Sequence, residues 1–165
     1  MNPALNMTSL DEMTVPLTIY YDGSCRLCAS EIANLAARTK PGLLVLIDCS
    51  PREFDASALP VTRLQMMNLI HARDADGRWI TGVDVFIAAY RFAKLEWVAS
   101  LLAHNWLRPF ADRGYPWLVR NRRRLSVLGL HRILNFFTHR ALRANAERAA
   151  AYARACHFNQ CKEKP

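Results

Sequence analysis

Between Ile19 and Ile32 the chain reads IYYDGSCRLCASEI. An apolar, β-favouring approach from Leu17 to Tyr21 runs into the polar turn Asp22-Gly23-Ser24, and a helical pattern then carries Cys25 and Cys28. Two cysteines three positions apart at a strand-to-helix junction are able to close a small disulfide ring and reopen it. The reactive form of cysteine is the thiolate, and the first turn of a helix favours it through unpaired N–H groups and the positive end of the macrodipole. With Ser24 as N-cap, Cys25 falls in that first turn beside Arg26, and Cys28 lies one turn deeper on the same side. The expected roles follow: Cys25, the more exposed, attacks a disulfide, and Cys28 resolves the mixed product. Asp22 is the third candidate. It either ends the strand by accepting turn N–H bonds or takes the proton of Cys28, and its charge opposes a thiolate at Cys25.

Outward from this stretch, Val15 to Tyr21 reads as the first strand and the helix runs to about Arg38, with Cys28, Ile32, Leu35 and Ala36 facing inward. Pro41-Gly42 ends it. Leu43 to Ile47 is a continuous apolar run, expected as a central strand buried on both faces. Strand, helix and strand within about 33 residues fit one βαβ crossover with parallel strands. Thr62 is placed to cap a short helix through Met67. Asn68 to Arg73 and Arg78 to Thr81 flank Asp74-Ala75-Asp76-Gly77, a hairpin signal. Helices are expected at Val83–Lys94, at Glu96–Leu107, and, beyond a break at Pro109, at about Tyr115–Arg124. Two further pieces follow, Leu130–Leu142 and Ala144–Ala155. Phe86, Tyr90, Trp97, Leu101 and Leu102 are the core candidates of the middle helices. The expected organisation is a disordered leader over 1–14, an α/β domain of thioredoxin-like plan over 15–125 (βαβ, then ββα), and a helical C-terminal extension of the same domain over 126–165.

At 165 residues the chain is long enough to bury a core without covalent staples. No run of 18 apolar residues spans a membrane, and the acidic first stretch is not a secretory signal, so a cytoplasmic compartment is expected. There a Cys-x-x-Cys pair turns over or binds metal rather than serving as a staple. The metal alternative is a structural zinc held by Cys25, Cys28, Cys156 and Cys161, although the second pair is widely spaced for it. Otherwise no cofactor is expected beyond the Cys25–Cys28 pair. Cys49 reads as packed. His71 sits on a strand near the site edge, and His104, His131 and His139 lack partners at ligand spacing. No phosphate-binding glycine loop or Ser-His-Asp pattern occurs.

The net charge of +8 lies in one segment. Arg113, Arg120, Arg122, Arg123, Arg124, Arg132, Arg140 and Arg143 occur without an acidic residue between them, and the rest of the chain sums to zero. This suits a solvated face, an acidic partner or an anionic surface. Nucleic acid is disfavoured, because the interleaved aromatics it would need, Trp117, Phe136 and Phe137, read better as core. A non-catalytic interaction protein using Arg113 to Arg143 is the alternative to an enzyme. The expected partner of the enzyme is an unknown protein or low-molecular-weight dithiol or disulfide, with weak anionic-surface contact through the arginines.

Tyr21 to Cys28, YDGSCRLC, resembles the D-G-x-C-x-x-C opening of the DCC family, thioredoxin-like proteins classed as thiol-disulfide oxidoreductases. His71 to Phe86, HARDADGRWITGVDVF, resembles its H-V-x-D-x-x-G…G-x-x-A-F segment. Tyr115 to Arg124, YPWLVRNRRR, with Leu125, resembles its closing Y-x-x-x-A-x-N-R-x-R-L segment. The resemblance covers about residues 15 to 125 and implies disulfide exchange with Asp22, Cys25 and Cys28 as site residues. In one respect the chain departs from thioredoxins proper, which carry a cis-proline before the strand facing the site. Here that strand is expected to start near Met67-Asn68 without one, and Pro60 lies too far upstream.

Overall fold

The structure, a computed structural model, describes residues 13–127 and 129–157. The chain is a mixed α/β fold of thioredoxin-like plan, built on four strands in the order β2-β1-β3-β4. β1 (Leu17–Tyr21) pairs in parallel with β2 (Leu44–Asp48) across α1 (Arg26–Arg38), as the βαβ reading requires. On its other side β1 runs antiparallel to β3 (His71–Arg73), which closes a hairpin with β4 (Trp79–Thr81). The register sets Ile19 between Leu46 and Ala72.

β1, not β2, is the central strand. Side chains alternate across a strand, so β1 serves two apolar layers. Leu17 and Ile19, both fully buried, face the main core with Ile32 and Leu35 of α1 and Val85 and Ile87 of α3 (Val83–Phe92). Tyr20 faces a second cluster with Cys49 and Met66 of α2 (Arg63–Asn68), and stacks on Trp79 at 5.3 Å. Each such aliphatic side chain contributes about 1.5–3 kcal/mol through burial. The run expected to be central is the sheet edge, and Val45 is 42% exposed. A continuous apolar run marks a strand without saying how many neighbours it has.

Local signals position the rest. Thr62 caps α2 through a reciprocal pair with Gln65, and in the hairpin turn Asp74 accepts from Arg78 N–H and pairs with its guanidinium. The last two residues assigned to a leader are ordered: Met13 is buried in the core, and the Thr14 hydroxyl accepts from Asp76 N–H. Leader residues 1–12 lie outside the described residues. Ala36 of the expected inward stripe is exposed, while Leu27 and Asn34 are buried instead.

Four helices of the second half pack on one another. α4 (Glu96–Ala103) leads into α5 (Arg108–Val127), which takes Pro109 into its first turn instead of breaking there. Proline lacks the N–H that a first turn leaves unpaired anyway, so it fits at a helix start. α5 also runs through Pro116. The two expected C-terminal pieces are one helix, α6 (Leu130–His157), which packs along α1; Asn145 Nδ2 donates to Ala37 O at 2.6 Å. Several core candidates are exposed: Trp97, Leu101, Trp117, Phe136 and Phe137. Apolar periodicity on these helices exceeds what the small sheet covers. The tail from Asn159 lies outside the described residues.

Candidate active site

The turn after β1 is held by its own polar groups. Asp22 Oδ1 accepts from Ser24 N–H at 3.0 Å and from the Ser24 hydroxyl at 2.6 Å, and Cys25 N–H reaches Asp22 O at 3.3 Å. Asp48, at the end of β2, accepts from both Gly23 N–H and Ser50 N–H at 2.8 Å. That carboxylate sits so close to Gly23 that a Cβ there would collide with it, so the position needs glycine.

Cys25, not Ser24, is the N-cap of α1. Its sulfur accepts from Cys28 N–H at 3.3 Å, and the Cys28 thiol donates to it at 2.7 Å. The Cys28 thiol hydrogen bond is the largest influence on Cys25. It outweighs burial and, with the Cys28 N–H and the Arg122 charge, draws the Cys25 thiol down to about 6 against the opposition of Asp22. Donation to Cys25, then burial and the Cys25 charge, push the Cys28 thiol up. The pair is thus poised as one thiolate and one thiol. The expected order of exposure is reversed: Cys25 is 6% exposed and Cys28 half-buried. A capping side chain folds back over the helix end, whereas one in the first turn would point away.

Arg122, the residue sequence reasoning missed, completes the site from α5. Its Nη2 meets Asp22 Oδ2 at 2.8 Å, and its Nη1 donates to Met67 O at 2.8 Å. The carboxylate is buried at 4% exposed, and the arginine side chain is largely covered at 14%. Asp22 therefore spends one oxygen on the turn and the other on Arg122. The sequence signals were the run Arg122-Arg123-Arg124, which no single helix face holds, and the place of Arg122 in the closing segment of the family resemblance.

Between α1, α3 and α5 lies a cavity of about 480 Å³, whose mainly apolar wall includes Cys28, Ile32, Phe86, Ala111, Trp117 and Arg122. Inside it the Tyr90 hydroxyl donates to Glu31 Oε1. Burial holds the Glu31 carboxyl above its ordinary value, and burial with the Glu31 charge raises the Tyr90 phenol. Tyr115 also lines the cavity, its phenol raised by burial and bonded to the Ile70 backbone. Glu31 was findable, since it lies three residues past Cys28 on the same helix face.

Other candidates fall outside this constellation. His71 is buried with Nδ1 2.7 Å from Leu69 O, and burial lowers its pKa. Cys49 is fully buried 3.7 Å from Met66 Sδ, its thiol pushed up to about 11 by burial and the Asp48 charge. The four-cysteine zinc arrangement includes Cys161, which lies outside the described residues. No three ligand-type side chains gather for a metal among the described residues, and none of the described helices is long and apolar enough to cross a membrane.

A family model described as DCC1-like thiol-disulfide oxidoreductase matches residues 19–128. An uncharacterized chloroplastic protein of Arabidopsis thaliana is 29% identical over 143 residues, covering 76% of this chain and 65% of the relative. The chain thus spans just under two thirds of that relative's length. No solved structure matches.

Proposed function

The chain belongs to the DCC1-like thiol-disulfide oxidoreductase family, and from that premise we propose that Cys25 and Cys28 are its redox-active pair, working without an added cofactor. Cys25 thiolate attacks a substrate disulfide, forms a mixed disulfide and expels one substrate thiolate. Cys28 loses its proton, attacks the Cys25 sulfur and expels the second. Two electrons pass to the substrate and the protein keeps a Cys25–Cys28 disulfide; in reverse the same steps oxidise a dithiol. Asp22 acts as a positioning residue, holding the turn and Arg122 so that the guanidinium charge stays beside the thiolate. The substrate is a protein or a low-molecular-weight disulfide in a reducing compartment, in our reading the cytoplasm, whereas the name of the Arabidopsis relative puts that protein in the chloroplast.

The observation that carries this reading is the Cys25 sulfur accepting both the N–H and the S–H of Cys28. Trapping tests it: Cys28→Ser should accumulate mixed disulfides and Cys25→Ser should accumulate none. Equal trapping by both would reverse or remove the assigned roles. A potential for the pair between roughly −120 and −270 mV is expected from a redox titration, in the range of known exchangers.

A specific surface supports a second reading, in which the protein also rests on an anionic bilayer. Along α5 the exposed residues Phe110, Arg113, Trp117, Arg120 and Arg124 alternate at spacings of three and four, and exposed Trp106 precedes them by one turn. Aromatics interleaved with arginines on one helix face suit lipid headgroups. Co-sedimentation with vesicles containing phosphatidylglycerol, and none with phosphatidylcholine alone, is the expected result. Equal pelleting with both, or binding only to an oligonucleotide competitor, would defeat it.

A further inference from the structure

The apolar cavity beside Cys28 has a size and a lining that specify a class of substrate. At about 480 Å³ it falls within the range of pockets that enclose small organic ligands, about 300–1,000 Å³. Its charged side chains are already matched: Glu31 with Tyr90, and Arg122 with Asp22 and Met67 O. A charged ligand placed there would lose its hydration without gaining a free counter-charge, at a cost that neutral ligands escape. Phe86, Leu102 and Ala111 instead offer apolar contact from α3, α4 and α5. At one end of this space stands Cys28, with the Cys25 sulfur 2.7 Å from its own.

We propose that this cavity is the substrate site, and that it takes a neutral, apolar, low-molecular-weight disulfide. The inference rests on the exchange chemistry proposed above. The bound disulfide lies against Cys28 with Cys25 one sulfur away. Cys25 thiolate forms an S–S bond to one substrate sulfur while the substrate S–S bond breaks, and the departing thiolate takes a proton from water. Cys28 gives up its proton, bonds to Cys25 and releases the second substrate thiol. The substrate is reduced by two electrons and the dithiol is oxidised by two.

A matched pair of probes tests this on the full, reduced chain: neutral dithiodipyridine and anionic dithiobis(nitrobenzoate). The readout is the rate at which the Cys25–Cys28 disulfide forms, followed by peptide mass spectrometry and divided by the rate of each probe with dithiothreitol. We expect the normalised rate to favour the neutral probe by about tenfold or more. Ala111→Phe, which fills the cavity from α5, should bring that preference to within about twofold of unity by lowering the neutral probe's normalised rate. Should Ala111→Phe lose the native circular dichroism, Gly114→Leu decides in its place, because a Cβ at that cavity-lining position meets nothing within 4 Å. Equal normalised rates in the unsubstituted chain, or a preference that survives the filled cavity, overturn the inference while leaving the exchange reading intact. If neither probe produces the Cys25–Cys28 disulfide while both oxidise dithiothreitol, the exchange reading falls, and the substrate assignment with it.

Discussion

The turn from Asp22 to Cys28 and the helix α5 meet in the Arg122–Asp22 pair, yet they are built in opposite ways. In the turn every contact but the two to Asp48 and Arg122 is made within a few residues, and Asp22 and Cys25 are buried and matched. α5 is divided along its length. Its inner face, with Ala111, Tyr115, Val119 and Arg122, closes the cavity; its outer face leaves Phe110 and three arginines in solvent, and Trp117, exposed yet part of the cavity wall, belongs to both. In the proposed exchange the turn supplies the reagent and the inner face supplies its environment. One helix can thus hold arginines of unrelated purpose two residues apart, and burial, not residue type, separates them.

Substitutions on the two faces put that division at risk. The largest effect is expected from Arg122→Met, which leaves the Asp22 carboxylate buried without its cation and should cost about 3 kcal/mol in denaturant unfolding. Gly23→Ala, which drives a methyl group into the Asp48 carboxylate, should cost about 2 kcal/mol by the same measurement. A third test uses pH. The Cys25 thiol is held at about 6 against an ordinary 9.0, so the native state releases this proton before the unfolded chain does. The reduced protein should therefore gain stability as pH rises from about 6 to 9 and lose it as pH falls through 6, and Cys25→Ser should flatten that slope. Iodoacetamide alkylation of Cys25 should show its midpoint near the same pH in the native protein and a higher one in Arg122→Met. The smallest effect belongs to Arg120→Gln on the outer face, below about 0.5 kcal/mol. Were Arg120→Gln as costly as Arg122→Met, the contrast between the faces would be lost.

What the sequence disclosed follows from the range of each interaction. The strand-turn-helix entry, the cap at Thr62, the Asp74–Gly77 turn and the dithiol all depend on neighbours within a few positions, and the chain order announces them. The Arg122–Asp22 pair joins residues 100 positions apart, and nothing near either residue signals the other. The edge position of β2 was hidden for a related reason: apolar content reports burial in general, while strand order depends on pairings made elsewhere. The middle case is Cys25. Its neighbourhood was read correctly, but a shift of one residue in the helix boundary turned an exposed first-turn thiol into a buried cap. For a site built on a helix terminus, one residue changes the chemistry of access.

That cap has a thermodynamic consequence. The sulfur that terminates α1 is also the atom proposed to change partners during turnover, so the first turn of the helix senses the oxidation state of the pair. As a thiolate it receives two hydrogen bonds from Cys28; bonded to Cys28 in a disulfide it carries no charge and no longer receives the thiol's proton. Whatever stabilises the reduced thiolate tilts the couple towards accepting electrons, as happens in dithiol proteins that are strong oxidants. The poise of the proposed couple is therefore set by how well one helix is capped, the same helix along which α6 packs.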